Sequence, residues 1–242
     1  MDTKNRGLKI AVIQSRRKKD SIERERRNIT RAIGEQAKAV FLSDLDEELP
    51  WSSPAEFLKD FDGLIFGGSS DFDFHGGRDA EDPARIMSHT ILTRLQYLIS
   101  FAFEKRVPIL GICFGHQLIG HLYGAEVVHD KEQSKSGSFE VCLTDERKRD
   151  AIFKHLPEIF MAQYWHKDSL TKLPTGATLL AESSVCHFSA LRYGAGAYTF
   201  QFHPEIVHWH DPCQHRPSPE TSKIIPLWIR ECVYKKGVRN LF

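Results

Sequence analysis

The sequence predicts an α/β protein whose central sheet is mostly parallel, with helices on both faces and an added antiparallel β segment. In the first half of the chain, short continuous apolar runs alternate with segments of helical periodicity. Continuous apolar strands are typical of a parallel sheet that is covered on both faces. In the second half, strand-like segments follow one another almost without helices, which predicts the antiparallel part.

Local patterns place the elements along the chain. Apolar runs predict buried strands at residues 10–14, 39–42, 62–66 and 107–112. Apolar residues at helical spacing predict helices at residues 21–38, around 87–102 and at 115–123. Further strands are predicted at residues 126–130, 138–143, 160–165, 178–182, 186–193 and 197–202. The helical pattern returns at residues 219–233.

Length and charge restrict the class of protein. The chain has 242 residues, enough for one large domain or two small ones. Because no repeat or Pro/Gly/Ser-rich linker divides the chain, one domain over residues 1–242 is the simpler prediction. The 33 Lys and Arg residues nearly balance the 32 Asp and Glu residues. This balance argues against a wholly basic nucleic-acid-binding protein.

Apolar runs and cysteines indicate where the protein resides. No apolar run approaches the roughly 18 residues that span a bilayer, and the start of the chain lacks the apolar stretch of a signal peptide. The five cysteines are scattered and never form C-x-x-C, so a disulfide framework is not expected. We therefore expect a reduced, cytoplasmic protein without a membrane segment.

A cysteine lies at the junction of a predicted strand and a predicted helix. Residues 111–115 read Gly-Ile-Cys-Phe-Gly, the cysteine counterpart of the G-x-S-x-G elbow. At such a turn the nucleophile is held out of the sheet, glycines allow close strand–helix packing, and the helix start favours the thiolate. The N–H of Phe114 is then placed to bind an oxyanion. A buried structural cysteine is the alternative, and the flanking strand and helix favour the elbow.

A histidine that can serve as the base follows the last predicted strand residues. Residues 201–205 read Gln-Phe-His-Pro-Glu. Pro204 biases His203 toward an extended conformation, in which residues two apart point to the same side. Glu205 can therefore orient the imidazole of His203 and stabilise its cation. The sequence thus predicts a triad of Cys113, His203 and Glu205, with a structural histidine in a turn as the alternative.

These motifs resemble those of the class I (triad) glutamine amidotransferases. The segments that match are residues 111–117 (Gly-Ile-Cys-Phe-Gly-His-Gln), residues 201–205, and the glycine pair at 67–68 that ends the third predicted strand. Residues 165–169, Trp-His-Lys-Asp-Ser, resemble the family's segment between the cysteine and the histidine. The resemblance covers roughly residues 10–205 and implies a flavodoxin-like fold. Among the members of this family, the sequence most resembles the stand-alone ones, which include GMP-synthase-like amidotransferases and γ-glutamyl peptidases.

The resemblance implies a role for each matched residue. Cys113 would attack a γ-carboxamide and form a glutamyl thioester, while His203, held by Glu205, would transfer protons. The N–H groups of Gly68 and Phe114 would form the oxyanion hole. The residues expected to contact the glutamyl substrate are Gly67, Gln117, His166, Lys167 and Asp168, the last two of them through their backbone.

The implied function is hydrolysis of glutamine with delivery of ammonia to a separate synthetase, without a cofactor or a metal. The alternatives are hydrolysis of a γ-glutamyl peptide or conjugate without ammonia transfer, and a binding module without turnover.

Two departures from the family pattern concern the mouth of the site. Ser69 stands where the family often has proline, and residues 70–75 form a longer and more acidic segment than is common.

Two further segments have no role in the implied chemistry. Residues 16–31, the basic stretch, carry eight basic residues against three acidic ones. We interpret the basic stretch as a loop and the solvated face of the first helix; a nucleic-acid-associated protein is the alternative, although no nucleic-acid-binding module is visible. Residues 208–215 are rich in His and Cys but lack a standard zinc spacing. We interpret them as a loop next to the active site.

Overall fold

Strands and helices alternate through the first half of the chain, as predicted. The structure is a computed structural model that describes residues 7–184, 186–207 and 216–236. Within these ranges the strands are β1 (Lys9–Gln14), β2 (Lys38–Ser43), β3 (Gly63–Phe66), β4 (Ile109–Ile112), β5 (Val127–His129), β6 (Lys135–Leu143), β7 (Ile159–His166), β8 (Asp168–Leu170), β9 (Ala177–Ser183), β10 (Cys186–Tyr193) and β11 (Ala197–Phe200). The α-helices are α1 (Lys19–Ile33), α2 (Pro54–Leu58), α3 (Pro83–Glu104), α4 (Phe114–Leu122) and α5 (Ile224–Trp228).

One large sheet has the strand order β2-β1-β3-β4-β11-β10-β9-β6-β7. Strands β2, β1, β3, β4 and β11 pair in parallel, and the strands from β10 to β7 continue the sheet antiparallel. Strands β5 and β8 form a separate antiparallel pair. The predicted parallel sheet with an added antiparallel segment is therefore confirmed. The carboxyl ends of β3, β4 and β11 meet at one edge, where open α/β sheets bind their ligands.

Helices cover both faces of the parallel part, as predicted. On one face, Ile29 of α1 and Trp228 of α5 share a core cluster with Val12. On the other face, Leu95 of α3 shares a second cluster with Ile13. Side chains alternate along a strand, so β1 contributes to both clusters. Each fully buried side chain of this size stabilises the fold by about 1.5–3 kcal/mol.

The first helix ends earlier than predicted. The pattern predicts a helix over residues 21–38, whereas α1 ends at Ile33. Gly34 adopts φ +58, in the left-handed region that favours glycine, and its N–H donates to the C=O of Thr30. From Lys38 onward the chain pairs with β1. Of the residues that the helical pattern includes beyond Ile33, Gly34–Gln36 form a short 3₁₀ helix and Lys38 starts the sheet pairing.

The other differences between the predicted and the observed secondary structure concern short elements. Helix α2 has five residues and β8 has three, too few for a periodic pattern to predict them. Short 3₁₀ helices lie at Gly34–Gln36, Asp145–Arg149, Phe153–His155 and Thr221–Lys223. The helical pattern predicted at residues 219–233 is confirmed from Thr221–Lys223 through α5, and a π-helical segment, Ile229–Tyr234, continues it.

A buried carboxyl at Asp44, just after β2, makes stability depend on pH. Its Oδ2 accepts a hydrogen bond from the hydroxyl of Ser15, and burial raises the pKa of Asp44 from 3.8 to about 7. Between these values the folded state binds a proton that the unfolded state has lost, so the free energy of unfolding falls as the pH rises. We expect this group to contribute a slope of up to about 1.4 kcal/mol per pH unit.

Asp44→Asn is expected to remove that slope in urea unfolding followed across the same pH window. The matched control is Glu48→Gln, an exposed carboxylate on the same loop, which should leave the slope as in the wild type. Equal slopes for Asp44→Asn and wild type would contradict the raised pKa.

Candidate active site

Cys113 lies at a sharp turn between β4 and α4, as the elbow motif predicts. Its backbone adopts φ +51 and ψ −98, a conformation that L side chains rarely adopt. Its N–H donates to the C=O of Phe200 at 2.7 Å, so β11 holds the turn against the sheet. The residue is 4% exposed, and a substrate therefore has to reach it through a narrow opening.

The two glycines of the elbow allow the close packing around Cys113. A Cβ at Gly111 would lie 2.9 Å from the carbonyl oxygen of Gly115. A Cβ at Gly115 would collide with the carbonyl oxygen of Phe66, the last residue of β3. The N–H of Gly115 donates to the C=O of Gly67 at 3.1 Å. The start of α4 is therefore pressed against the end of β3, as the packing argument from the sequence expects.

His203 and Glu205 follow β11 and are both buried. Nδ1 of His203 lies 2.7 Å from Oε1 of Glu205, and the imidazole lies beside Cys113, whose sulfur raises the pKa of the imidazole. The N–H of His203 donates to the C=O of Gln163 at 2.8 Å, which ties this segment to β7. Because β4 and β11 are parallel neighbours, the cysteine and the histidine leave the sheet at the same edge. The structure thus brings the three predicted triad residues together.

The three buried histidines His203, His166 and His116 differ in pKa. Burial opposes a positive charge on His203, but the carboxylate of Glu205 and the sulfur of Cys113 outweigh it and raise the pKa of His203 to about 10. Burial lowers the pKa of His166 to about 4 and that of His116 to about 3. At neutral pH the cation is therefore favoured on the imidazole next to the sulfur, while the other two rings are neutral.

Two groups beside the sulfur were not predicted. Sγ of Cys113 lies 3.5 Å from the C=O of Trp165 and 3.7 Å from Nε2 of Gln201. Gln201 precedes His203 by two residues, so the alternation of an extended chain was a signal that both side chains face the same side. No local signal marks the carbonyl of Trp165, because the position of β7 in the sheet places it there.

Three of the residues expected to contact a glutamyl group, Gln117, His166 and Asp168, meet between α4 and β8, whereas Gly67 lies after β3 against Glu25. Gln117 is buried, and its Nε2 donates to the C=O of Asp168 at 2.7 Å and to Oε1 of Gln201 at 3.2 Å. Nδ1 of His166 lies 3.1 Å from the same C=O of Asp168. These contacts join the elbow helix to the predicted binding segment and place both beside the sulfur.

The side chain of Asp168 fixes the acidic segment that follows the glycine pair. Its two carboxylate oxygens accept hydrogen bonds from the N–H of His75 at 2.7 Å and the N–H of Gly76 at 2.6 Å. Nζ of Lys167 lies 3.9 Å from Oδ2 of Asp73. The longer acidic segment noted in the sequence is therefore anchored to the segment expected to bind the substrate.

The two predicted oxyanion donors differ in the hydrogen bonding of their N–H groups. Phe114 is the first residue of α4, where the first N–H groups have no acceptor within the helix. The N–H of Gly68 donates to Oε1 of Glu25 at 3.1 Å. The oxyanion role of both N–H groups stays a prediction.

The interpretation of the basic stretch as a loop and a solvated helix face is wrong for Arg16 and Glu25. Nη2 of Arg16 lies 3.0 Å from Oε1 of Glu25, with side chains 10% and 2% exposed. Burial disfavours the charge of Arg16, but the carboxylate of Glu25 outweighs it and raises the pKa of Arg16. Glu25 shares the buried face of α1 with Ser21, Ile29 and Ile33, and this spacing of four residues was a signal in the sequence.

A cavity of about 230 Å³ opens beside the triad. It is smaller than the pockets of roughly 300–1,000 Å³ that hold drug-sized ligands, so it suits a small polar group. The residues that line it include Arg16, Arg24, Asn28, Ser70, His203 and Glu205.

Metal, membrane and disulfide features can be assessed for the described residues. No group of three or more His, Cys, Asp or Glu side chains among them could hold a metal ion, and the His- and Cys-rich residues 208–215 lie outside them. No described helix is both long and apolar enough to cross a membrane. The cysteines that the structure describes are free thiols: Cys113, Cys142, Cys186 and Cys232.

Sequence comparison relates the chain to proteins of known family. The sequence model described as "Glutamine amidotransferase class-I" matches residues 21–212. One subunit of the glutamine-hydrolyzing GMP synthase of Thermococcus kodakarensis is 32% identical over 181 residues, which are 74% of this chain and 80% of that protein. The corresponding GMP synthase subunit of Methanocaldococcus jannaschii is 38% identical over 111 residues, which are 46% of this chain and 57% of that relative.

Solved structures agree with the fold. A protein from Thermoplasma acidophilum aligns with a TM-score of 0.71 and 23% identity over 98% of this chain and 99% of that one. A glutamine amidotransferase from Thermotoga maritima aligns with a TM-score of 0.62 and 21% identity over 98% of this chain and 86% of that one. These similarities support the flavodoxin-like α/β fold.

The matched region contains every predicted triad residue and ends at residue 212, so a single domain over residues 1–242 stays a prediction. The sequence match covers most of the chain, and the fold agrees with it. The chain belongs to the class I glutamine amidotransferase family.

Proposed function

We propose that this protein hydrolyses the γ-carboxamide of glutamine through a thioester on Cys113. The observation that supports this most directly is the hydrogen bond between Glu205 and His203 beside Cys113, at the carboxyl edge of two parallel strands. A nucleophile, a base within hydrogen-bond reach and a carboxylate that orients the base are the parts that acyl transfer requires.

The chemistry follows from the charges at the site. The sulfur of Cys113 attacks the carbonyl carbon of the γ-carboxamide, and the imidazolium of His203 gives its proton to the leaving nitrogen as the C–N bond breaks, so that ammonia departs and a thioester remains. His203 then takes a proton from water, which attacks the thioester. The C–S bond then breaks, so that glutamate is released and the thiolate of Cys113 is restored beside the imidazolium of His203. Glu205 keeps the imidazole oriented through both steps.

The remaining predicted residues bind the substrate in this proposal. The N–H groups of Gly68 and Phe114 stabilise the tetrahedral oxyanion. Gln117, His166 and the backbone of Lys167 and Asp168 hold the glutamyl group, together with the backbone of Gly67. The short contacts among Gln117, His166 and Asp168 support this proposal, because they hold that region rigid beside the sulfur.

Ammonia transfer to a separate synthetase is the second part of the proposal. The two GMP synthase relatives described above are single subunits of glutamine-hydrolyzing enzymes, which supports a partner protein for this chain. The cavity beside His203 lies where the leaving nitrogen would depart. A reduced, cytoplasmic location fits the free thiols of the described cysteines.

A substrate assay tests the proposal. Glutamate is measured together with ammonia from glutamine, and separately together with the released amine from γ-glutamyl dipeptides. We expect glutamine to give the higher kcat/KM, with one ammonia for each glutamate. A kcat/KM at least about tenfold higher for dipeptides would favour a γ-glutamyl peptide hydrolase instead. Absence of glutamate release from every substrate would contradict both activities.

A further inference from the structure

The glycine at the end of the oxyanion segment lies between the triad and a buried ion pair. A Cβ placed on Gly68 would lie 3.0 Å from Cε1 of His203 and 3.6 Å from Cβ of Cys113. The same Cβ would lie 3.2 Å from Nη2 of Arg16. The direction of the N–H of Gly68 therefore decides whether this N–H can donate to an oxyanion at Cys113 or to the ion pair. In this structure the N–H donates to Oε1 of Glu25.

Glu25 is held firmly in this position. Its Oε1 accepts from Arg16 at 3.0 Å as well as from Gly68 at 3.1 Å, and its Oε2 accepts from Nε2 of Gln14 at 2.9 Å. A Cβ on Gly67 would lie 2.6 Å from Oε1 of Glu25, so the carboxylate packs directly against the glycine pair. A buried carboxylate is stable only with such partners, and here one partner is a predicted oxyanion donor.

The same N–H cannot serve both acceptors. A backbone N–H is one donor, and a donor contributes to catalysis when it is aimed at the position of the oxyanion. A carboxylate within reach of that position also repels the negative charge of a tetrahedral intermediate. Glu25 in this position therefore opposes the transition state without blocking the sulfur.

We propose that Glu25 gates the oxyanion hole: its carboxylate holds the N–H of Gly68 in a resting arrangement, and turnover requires its release. This proposal rests on the proposed function. Glu25 acts here through Gly68 and is a positioning residue. Arg16 links the gate to the mouth of the site, since its Nη1 donates to Oγ of Ser70 at 3.3 Å while its Nη2 holds Glu25.

The test compares wild type with Glu25→Gln, which keeps the size of the side chain and removes its charge. We expect kcat for glutamine to rise by about 10- to 100-fold, because the neutral amide oxygen accepts more weakly than a carboxylate and does not repel the oxyanion, while one oxyanion donor is worth about 10²–10³-fold in kcat. KM should change by less than about threefold, since only the backbone of Gly67 among the proposed glutamyl contacts adjoins Glu25. The affinity for glutamate γ-semialdehyde, which forms a tetrahedral adduct on a cysteine, should rise by the same factor as kcat.

Glu23→Gln is the matched control, because Glu23 is an exposed carboxylate on the same helix and should leave kcat and the semialdehyde affinity unchanged. Glu25→Asp provides a second variant that keeps the charge and withdraws the carboxylate by one methylene. It should raise both quantities as well, and it covers the case in which Glu25→Gln does not fold.

Unchanged or lower kcat and semialdehyde affinity in the folded Glu25 variants, with wild-type turnover that needs Cys113, would overturn the gate and leave the proposed function intact. If the wild type shows no turnover that depends on Cys113, the proposed function itself fails, and the gate fails with it. The two failures are therefore distinguishable in one set of assays.

Discussion

Replacing Cys113 by alanine is expected to lower the release of glutamate from glutamine by about 10⁴-fold or more, because the variant has no atom to form the thioester. Alanine keeps the Cβ, so it adds no strain to the backbone at φ +51. The residue is buried beside His203 and Glu205, and the loss of one sulfur leaves their mutual hydrogen bond in place. The measurement is initial glutamate release at saturating glutamine, with thermal unfolding as the check on folding.

Cys142→Ala is the matched control for this loss. Cys142 is exposed in β6, far in the sheet order from β4, and its replacement should leave turnover within about twofold of wild type. Equal rates for wild type and Cys113→Ala would show that the activity does not use this sulfur, and the triad assignment would then be wrong.

Gly115→Ala is expected to lower the free energy of unfolding by about 3 kcal/mol, the upper part of the range for overpacked sites. The new Cβ would collide with the carbonyl oxygen of Phe66 and lie 2.8 Å from its Cβ. These are atoms of a buried strand end, which cannot move aside like a flexible side chain. Helix propensity alone favours alanine over glycine by about 1 kcal/mol, so the structure and the propensity predict opposite signs.

Urea unfolding measures this change, and Gly196→Ala serves as its control. A Cβ at Gly196 would meet only ordinary contacts, at 3.8 Å from Cβ of Cys232 and Cα of Pro108. We expect the control to change stability by less than about 0.5 kcal/mol. Stabilisation by Gly115→Ala would mean that α4 does not start against the end of β3.

The parallel strands were predictable because they are rich in apolar residues and, except for the edge strand β2, are buried on both faces. Residues 10–14, 39–42, 62–66 and 107–112 each form a continuous apolar run, and the structure has a strand at every one of them. The end of α1 was not predictable from periodicity, because the apolar residues continue past Ile33. Gly34 and the pairing of β2 decide where the helix stops.

The proximity of Cys113, His203 and Glu205 was predictable because each of these residues carries a local signal. Cys113 lies between two glycines at a strand–helix junction, and Glu205 follows His203 by two residues across a proline. The neighbours of the sulfur were harder to predict, since the carbonyl of Trp165 is a backbone group that any residue would supply. Glu25 was misinterpreted because its charged neighbours in the basic stretch concealed its place on the apolar face of α1.

The sequence by itself determined the strand–helix order and the turn at Cys113 and predicted the triad residues, because these depend on periodicity and on residues close together in the chain. Only the tertiary structure decided which backbone groups face the sulfur and where the N–H of Gly68 points. Glu25 and Gly68 are 43 residues apart, and their contact depends on how α1 packs beside the end of β3. A hydrogen bond between distant segments follows from the packing of helices on the sheet, which no local pattern encodes.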